Sequence, residues 1–411
     1  MPTQQDKRVG SNAKAPSGVV TLGMVAQAAG VSPSTVSRIL NGTAAVHEAK
    51  RAAVEAAVQR LGYVPNPVAR GLAGGRTLSV GVVTHAIDSP FYGVALRGIE
   101  ETLDRVGYSA LFVSGQWNAQ EEARAIEVLR SRRVDGIIVL SGRLGDAALR
   151  QVAKALPVVV TGRAIKAPNL VSLDFDNFEG ARLATNHLLA LGHRRIAFIT
   201  GDAGHPDAVE RHRGYRAAIE AAGLDYEPEL VSQGLFSEES GLAAVSRLLD
   251  SRQRFTAVFA SNDQMALGAC LGLYRRGLRV PRDMSVVGFD DLPVSAFLLP
   301  PLTTVHHPAY EIGRLAASSM LQLLRGEKPT GAVPAPRIVV RESSSPPAGG
   351  WRTRIEQRRP PSKRSPARRI RIGAWHWMAS MRRTSTERYR FLNSWVRLSF
   401  MELISSFVNF S

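Results

Sequence analysis

The sequence contains almost no cysteine and no long uninterrupted apolar run. Cys270 is the single cysteine among 411 residues, which excludes an internal disulfide framework and the small secreted folds that depend on one. The N-terminal segment 1–18 is polar and holds no apolar run that could serve as a signal peptide. The apolar C-terminal end carries Arg397 and Glu402, so it falls short of the roughly 18 residues that a membrane span needs. We therefore expect a soluble cytoplasmic protein without a membrane partner.

Signatures of catalysis and of metal binding are also missing from the sequence. No glycine-rich phosphate loop follows a predicted strand, no Gly-x-Ser-x-Gly segment occurs, and no His/Cys cluster has metal-ligand spacing. His205 and the pair His306-His307 are isolated, which favours surface or cleft positions over metal coordination. We therefore expect neither an enzyme nor a bound cofactor or metal. A sugar-converting enzyme on an α/β scaffold would need a base or a metal set that the sequence does not offer.

Positive charge is abundant but concentrated at the two ends of the chain. The formal net charge is +17; residues 1–76 contain nine Lys/Arg against three acids, residues 77–347 contain 29 against 29, and residues 348–411 contain 14 against three. The length predicts about two or three folded units. A basic head on a neutral body is the distribution that attraction to a polyanion at one end requires. The sequence therefore predicts nucleic-acid contact in the head and not in the body.

Residues 21–61 predict three short helices. Apolar residues recur at helical spacing in three blocks, which are separated at 30–32 and at 41–43. Ser32 is placed to cap a helix that begins at Pro33, and a tight turn separates this helix from one over 22–29. Two short helices joined in this way form a helix-turn-helix. On the second helix the hydroxyl side chains would position the protein on DNA, and Arg38 would donate two hydrogen bonds to guanine.

The chain from residue 77 to residue 347 alternates short aliphatic runs with amphipathic stretches. A Pro-containing linker over 65–76, with one or two weak helical turns, precedes it and is typical of a hinge. The strand-like runs are 79–84, 109–114, 136–140, 158–161, 195–200, 257–261 and 285–289. Runs of this kind are typical of a parallel sheet covered on both faces. We expect a doubly wound α/β core in two halves, split near residue 161, with a cleft at the carboxyl ends of the strands.

These motifs together resemble the lactose-repressor/galactose-repressor (LacI/GalR) family of bacterial transcription regulators. A Ser/Thr-rich helix with one arginine would on its own be explained as a solvated amphipathic helix, but the resemblance covers about residues 19–347. The segments that carry it are Val20 to Leu22, Gly30 to Gly42, Leu61 to Asn66, Ser261 to Gly268, Ser285 to Asp291, Pro300 to Thr304 and Arg341 to Ser343. The resemblance implies a helix-turn-helix domain over 19–64, joined by a hinge helix over 65–76 to a periplasmic-binding-protein-like core of two subdomains over 77–347. Residues 1–18 are expected to be a disordered arm.

The resemblance implies that the head and the hinge together contact DNA. The candidate residues are Thr21, Leu22, Ser32, Pro33, Ser34, Thr35, Ser37, Arg38, Asn41, Tyr63, Asn66, Ala69, Arg70 and Leu72. In the family the hinge folds into a helix on operator DNA, and a leucine from each subunit opens the central minor-groove step; Leu72 matches that leucine. Gly71 inside a weak helix favours an unfolded hinge away from DNA. His47 stands where the family usually has a serine, so a weaker helix cap is expected there.

The resemblance also implies a ligand held between the two subdomains. The matching residues are Arg211, Phe236, Asn262 and Asp290, with Phe91 and Tyr92 as the opposite wall and Arg163 as a further candidate from the first subdomain. A sugar needs bidentate hydrogen-bonding groups for adjacent hydroxyls and an apolar platform for its ring, and this set supplies both. Purely structural explanations stay open, since an Asn-Asp pair can simply cap a helix and phenylalanines fill cores.

The sequence therefore predicts a repressor that binds a palindromic operator as a homodimer and is released or tuned by a sugar-like effector through allostery. The alternative is a sugar-binding protein or sensor without a DNA-dependent function; a helix-turn-helix and a polar N-terminus disfavour its periplasmic form. Activation instead of repression, tetramer formation and the identity of the sugar stay open.

Residues 348–411 do not fit the family. They carry four of the five tryptophans and several pairs of basic residues such as Arg358-Arg359. One interpretation is a basic arm that adds non-specific DNA affinity. The other, which the composition favours, is a disordered or out-of-frame extension without an evolved role.

Overall fold

The computed structural model describes residues 20–40, 47–63, 76–251 and 253–348. The linker 65–75 and the segment 348–411 therefore lie almost wholly outside the described residues, as do the first 19 residues. No helix of the described ranges is both long and apolar enough to cross a membrane.

Three helices form the N-terminal head, which we define as residues 20–63. They are α1 Leu22–Ala29, α2 Pro33–Leu40 and α3 Glu48–Leu61. The helices that the sequence predicts over 22–29 and from Pro33 are confirmed. The backbone N–H of Thr35 donates to Ser32 Oγ over 3.2 Å, which is the cap expected at the start of α2. Gly30 ends α1 in the left-handed region at φ 63°, a conformation that glycine adopts without strain.

The head has a small hydrophobic core of its own. Its fully packed members are Val25, Ala26, Val36, Val54, Ala57 and Tyr63. The cap of α3 is His47, whose Nδ1 accepts a hydrogen bond from the backbone N–H of Ala49 at 3.4 Å. This length is at the weak end for such a bond. The stability of the head therefore depends on a few apolar side chains, with little help from the cap of α3.

The remaining described chain is an alternation of strands and helices. In order these are β1 Ser79–Thr84, α4 Pro90–Asp104, β2 Ser109–Ser114, α5 Ala119–Ser131, β3 Gly136–Leu140, α6 Asp146–Ala153, β4 Val158–Thr161, β5 Leu170–Leu173, α7 Asn177–Ala190, β6 Ile196–Thr200, α8 Pro206–Ala221, β7 Val231–Gln233, α9 Glu238–Asp250, β8 Ala257–Ala260, α10 Asp263–Arg275, β9 Ser285–Asp290, β10 Thr303–His306, α11 Ala309–Leu324 and β11 Arg337–Val339. All seven strands expected from the aliphatic runs are present within one residue at each end. The short strands β5, β7, β10 and β11 are additional.

The strands form two sheets, one in each subdomain. The first sheet has the order β2-β1-β3-β4-β5 and is parallel throughout. The second has the order β11-β10-β9-β8-β6-β7 and is parallel except for β11, which runs antiparallel to β10. Buried apolar side chains cover both faces of each sheet. The expectation of a doubly wound α/β core is confirmed.

The boundary between the subdomains differs from the expected split near residue 161. β5 pairs with β4, so the first sheet ends only at Leu173. The helix α11, from much later in the chain, then packs back on the first subdomain, where Ala316, Ala317 and Met320 share a core with Val80. The chain therefore crosses between subdomains at 174–176, at 307–308 and again after α11. Local patterns cannot show such a return, because it depends on contacts between distant segments.

The helices α4 and α11 approach each other through two glycines. A Cβ atom on Gly98 would lie 2.3 Å from the carbonyl oxygen of Tyr310, and one on Gly313 would lie 2.0 Å from that of Ala95. Both distances are far shorter than any van der Waals contact, and the obstructing atoms are backbone atoms that a side-chain rotation cannot move. The close packing of α11 on the first subdomain therefore requires glycine at both positions.

We predict that Gly313→Ala lowers the free energy of unfolding by about 1–3 kcal/mol, because the two helices must separate to admit the methyl group. The matched control is Gly93→Ala in α4, where an added Cβ meets nothing within 4 Å. This control is expected to be neutral or stabilising, since alanine is the better helix former. Thermal unfolding of the two variants checks the prediction, and equal effects would contradict it.

Candidate ligand cleft and DNA-reading surface

A cleft of about 540 Å³ lies between the two subdomains. It is formed by segments that follow β1 and β2 in the first sheet and β6, β7, β8 and β9 in the second. The first subdomain contributes His85, Ala86, Asp88, Ser89, Phe91, Tyr92 and Trp117. The second contributes Asp202, His205, Asp207, Arg211, Leu235, Phe236, Ser237, Glu238, Glu239, Asn262, Gln264 and Asp290. Six of the seven residues expected from the sequence line this cleft, all except Arg163.

The floor of the cleft is a buried ion pair between Arg211 and Asp290. Arg211 in α8 is 3% exposed, and its Nη1 lies 3.5 Å from Oδ1 of Asp290 at the end of β9. The guanidinium also donates to Asn177 Oδ1 over 2.8 Å and to the carbonyl oxygen of Ser261 over 2.5 Å. The central carbon of the guanidinium, Cζ, lies 3.8 Å from the centre of the Phe289 ring. These contacts hold the planar group in one orientation at the base of the cleft.

The backbone at Asp290 is strained. Asp290 has φ 115° and Asp291 has φ 57°, and two successive non-glycine residues in this region are costly. The second carboxylate is anchored outside the cleft, because Asp291 accepts a hydrogen bond from Arg341 Nη2 at 2.6 Å and lies 2.9 Å from His306 Nδ1. This anchoring of Asp291 on one side leaves the Asp290 carboxylate facing the cleft on the other.

For Asn262 and Asp263 the sequence left two roles open, ligand contact and helix capping. Asn262 caps α10, since its Oδ1 accepts from the backbone N–H of Met265 at 2.9 Å, and it also lines the cleft. Asp263 is almost fully buried and accepts hydrogen bonds from the hydroxyls of Ser295 and Thr304, each over 2.6 Å. Asp263 therefore ties the start of α10 to the segment after β9 and does not line the cleft.

Phe236 enters the cleft from a left-handed backbone. Its φ is 63°, and a Cβ atom on Gly201 would lie only 2.1 Å from the Phe236 ring. Gly201 therefore provides the space in which this ring lies. Across the cleft, Phe91 and Tyr92 are in edge contact, with ring centres 5.3 Å apart, so aromatic surface faces the cleft from both subdomains.

Arg163 has a different position from the one expected. Its guanidinium donates to the carbonyl oxygens of Gly142 and Leu144 and lies 3.5 Å from Asp146 Oδ1. It therefore braces the loop between β3 and α6 instead of reaching the cleft. A sequence position after a strand end is compatible with either role, because the direction of a long side chain is set by neighbours that spacing does not show.

Several lining residues had no signal in the sequence analysis. Trp117 and His205 stack across the mouth of the cleft, with ring centres 4.0 Å apart and planes inclined by 7°. Asp88, Asp202 and Glu238 make the rim acidic. His205 was expected only as a surface or cleft residue. Within the described ranges, no group of three or more His, Cys, Asp or Glu side chains is arranged to hold a metal ion.

Burial shifts the pKa values of the groups on the floor in the direction that favours their neutral forms. The pKa of His307 falls to about 3, because the ring is buried and lies near Arg211. Burial likewise lowers the pKa of His205 to about 4. The pKa of Asp290 rises to about 7 through burial, and the nearby Arg211 opposes this rise. At neutral pH both imidazoles are therefore neutral hydrogen-bonding groups.

The DNA-reading candidates that the structure describes lie on the head. Ser32, Pro33, Ser34 and Arg38 are exposed along α2, while Thr35 and Ser37 are partly buried. Thr21 is exposed and caps α1, and Leu22 packs partly against the head core. Tyr63 is buried in that core, so packing alone accounts for its ring. Asn41, Asn66, Ala69, Arg70 and Leu72 lie outside the described residues.

Comparison with known proteins identifies relatives for both parts of the chain. Residues 21–66 match the family model of bacterial regulatory proteins of the lacI family, and residues 77–342 match that of periplasmic binding proteins and the sugar-binding domain of the LacI family. The HTH-type transcriptional repressor PurR of Haemophilus influenzae is 36% identical over 306 residues, covering 74% of this chain and 91% of that protein.

Two solved structures are similar over most of the chain. One is the lac repressor dimer bound to operator and the anti-inducer ONPF, with a TM-score of 0.73 and 32% identity over 80% of this chain and all of the other. The other is the transcriptional regulator CelR in complex with cellobiose, with a TM-score of 0.59 and 38% identity over 79% of this chain and all of the other. Each comparison covers about four fifths of this chain and the whole of the other.

We predict that His307 makes stability fall with acidification below pH about 6.5. In the unfolded chain the imidazole gains a proton near this pH, whereas in the folded protein it does not until about pH 3. The contribution of His307 to the free energy of unfolding is therefore complete at neutral pH and is lost as the pH falls. Relative to His307→Gln, the wild type should lose up to about 1.4 kcal/mol per pH unit between about pH 6.5 and 4.

Urea unfolding of both proteins at about pH 7 and about pH 5 checks this difference. Asp290 titrates with the opposite sign in the same range and is present in both proteins, but its Oδ1 lies 3.6 Å from His307 Nδ1, so the difference between them reports His307 together with its coupling to Asp290. Parallel pH profiles would show that His307 is not held neutral by the fold.

Proposed function

The chain belongs to the LacI family of bacterial regulatory proteins, and from this membership we propose a transcriptional repressor that binds a palindromic operator as a homodimer and responds to a sugar-like effector. Members of this family are transcription regulators and not enzymes. One observation carries the proposal: a helix-turn-helix head and a two-subdomain cleft with polar and aromatic walls occur in the same chain.

The N-terminal end of α2 is the DNA-reading surface. The Ser32 hydroxyl lies 2.8 Å from the hydroxyls of both Ser34 and Thr35, so three hydroxyl groups cluster at a helix N-terminus, where phosphate oxygens bind well. Arg38 follows Ser34 by one helical turn on the same exposed side. The opposite side holds Val36 in the head core. This division leaves α2 free to enter a major groove, with Arg38 directed at base edges.

The cleft connects to the DNA-binding region through the first subdomain. The chain enters this subdomain at Thr77, whose backbone N–H donates to Asp135 Oδ1 over 2.8 Å, while that of Leu78 donates to Oδ2 over 2.9 Å. Arg76 donates to the carbonyl oxygen of Leu324 at the end of α11. A rotation of the first subdomain on ligand binding therefore moves the end of the hinge segment with it. In a dimer the distance between two hinge segments, which carry Ala69, Arg70 and Leu72, then changes with the state of the cleft.

The cleft floor suits a polyhydroxylated ligand. Arg211 is a bidentate donor, Asp290 is an acceptor, and Phe91 and Phe236 offer apolar surface from opposite walls. A sugar presents adjacent hydroxyls around a ring with apolar faces, and it matches this arrangement. The lac repressor and CelR structures, which are similar to this chain, contain ONPF and cellobiose, respectively.

An exposed apolar surface on the second subdomain is the proposed dimer contact. Tyr274, Phe297 and Leu299 are 77%, 83% and 97% exposed, which is unusual for such large side chains. Between the last two, Leu298 packs on the core that also contains Leu273 of α10. We take residues 274 and 297–299 as the side chains that a twofold contact would cover.

Operator selection tests the DNA-binding part of the proposal. Selection from random duplex DNA with the full chain should enrich a palindrome of two half-sites. Arg38→Ala should relax the preference at one base pair in each half-site, at a cost of about 1–3 kcal/mol. The control is Arg124→Ala, an exposed arginine on α5 of the neutral body, which should change nothing. Failure to enrich any sequence, or equal losses in the two variants, would refute the assignment of α2.

Sedimentation tests the dimer contact. The full chain should sediment as a dimer, and Phe297→Glu combined with Leu299→Glu should shift it to a monomer, because two carboxylates would be buried against a second copy. Val128→Glu, on an exposed position of α5 in the first subdomain, is the matched control and should leave the dimer intact. A dimer that survives the double substitution would place the contact elsewhere.

A further inference from the structure

The mouth of the cleft is closed by two stacked rings from different subdomains. Trp117 follows β2 of the first subdomain, and His205 caps α8 of the second. Their nearly parallel stack, with centres 4.0 Å apart, is a contact across the mouth and above the floor formed by Arg211 and Asp290. A third ring, that of His85, meets Trp117 edge-on at 5.1 Å. These rings continue the aromatic walls of the cleft, since the His205 ring lies 5.1 Å from that of Phe236 and the His85 ring lies 5.7 Å from that of Tyr92.

The turn that carries Trp117 has a strained backbone, and this backbone sets the orientation of the indole. Gln116 and Trp117 have φ values of 50° and 54°, so two successive non-glycine residues occupy the left-handed region. Each such residue costs of order 1 kcal/mol or more, and strain of this kind persists where the surroundings enforce it, often at binding sites. The turn brings the indole against His205 and His85.

Two polar atoms of this aromatic group have no partner. Trp117 Nε1 and His85 Nδ1 are buried side-chain atoms that make no hydrogen bond within the described residues. Leaving such an atom unsatisfied costs about 1–3 kcal/mol, so each one needs an explanation. Burial lowers the pKa of His85, which keeps its ring neutral, and a neutral imidazole has one donor and one acceptor nitrogen. An indole N–H beside such a ring matches hydroxyl groups, which both donate and accept.

The charge of the lining disfavours an anionic ligand. Asp88, Asp202, Glu238 and Glu239 surround the mouth, and Asp207 and Asp290 lie deeper. Among the lining side chains that the structure describes, Arg211 is the sole Arg or Lys, and it lies on the floor beside Asp290. A phosphate or carboxylate at the mouth would meet more carboxylates than cations, since Arg143, whose guanidinium lies 5.9 Å from the centre of the Trp117 ring, is already 3.9 Å from Asp202 Oδ2. The lining at this position therefore favours an uncharged ligand that is rich in hydroxyls.

We propose that the mouth is an outer subsite in which Trp117 and His85 hold the second unit of a neutral disaccharide or longer oligosaccharide, while the first unit occupies the floor. This inference rests on the proposed function and specifies the class of effector. The cleft volume of about 540 Å³ lies within the roughly 300–1,000 Å³ of pockets that enclose drug-sized ligands, and a monosaccharide would fill only part of it. The second unit lies along the edge of the Trp117–His205 stack, and because both unpartnered nitrogens are buried they become available to it only when the stack opens.

Calorimetry on the full chain tests the outer subsite. The probes are glucose, galactose, cellobiose, maltose, lactose and glucose 6-phosphate. At least one disaccharide should bind about tenfold or more tightly than its own monosaccharides, and the phosphate ester should bind no better than glucose. Trp117→Ala should weaken binding of that disaccharide by about tenfold, the upper value for one hydrogen bond from the indole N–H, and should change monosaccharide affinity by less than about twofold.

Two further variants separate a binding role from a structural one. Trp117→Phe keeps a ring but not the N–H, so it should restore part of the disaccharide affinity. Val128→Ala, at an exposed position in the same subdomain, should leave every affinity unchanged. The subsite is refuted if a monosaccharide binds as tightly as every disaccharide, or if Trp117→Ala weakens mono- and disaccharides equally.

The selected operator distinguishes failure of the subsite from failure of the proposed function. If a monosaccharide alone binds and releases the operator, the outer subsite is wrong and the sugar-responsive repressor stands. If none of the probes binds although the operator does, both the subsite and the sugar effector fail while DNA binding stands. If a disaccharide binds through Trp117 but the operator is never bound, the subsite holds in a sugar-binding protein without a DNA-dependent function.

Discussion

The buried guanidinium of Arg211 is the contact on which the rest of the second subdomain and its cleft depend. It joins α8 to the ends of β8 and β9 through Ser261 and Asp290, and it reaches the start of α7 through Asn177. Removing one partner of such a buried pair typically costs about 3–5 kcal/mol, because the remaining charge is left without compensation. The cleft floor is therefore rigid before any ligand arrives, and a rigid polar floor favours specificity for the arrangement of hydroxyls.

The same guanidinium lies beside the segments that connect the two subdomains. His307, in the crossover after β10, has its Nδ1 3.4 Å from Arg211 Nη2 and stacks on Phe175 of the crossover after β5, with ring centres 4.0 Å apart. Phe91 from the first subdomain touches the other side of this ring at 4.6 Å. Closure of the cleft therefore rearranges contacts around one imidazole that also borders the floor. Such an arrangement would couple the proposed ligand on the floor to the angle between the subdomains.

The sequence was most informative where one local pattern determines the structure. Ser32 before Pro33 fixes where α2 begins, and the aliphatic runs locate the strands from Ser79 to Asp290 because a strand buried on both faces has no other composition. Arg211 and Asp290 were found by resemblance, since their positions after a strand or in a helix do not by themselves reveal a cleft. Trp117 gave no signal, because its orientation depends on a left-handed turn and on a partner 88 residues away. The direction of Arg163 and the return of α11 likewise depend on distant neighbours.

The return of α11 to the first subdomain also has a consequence for synthesis on the ribosome. Roughly 135 residues separate the end of β5 at Leu173 from the start of α11 at Ala309. At about 5–20 residues per second, the first sheet waits for roughly 7–27 s before the helix that covers one of its faces emerges. During this interval Val80, Val82 and Ile138 lack the cover that α11 later provides. The first subdomain is therefore left incompletely covered while most of the second is made, and the second sheet is completed later still, because β11 follows α11 in the chain.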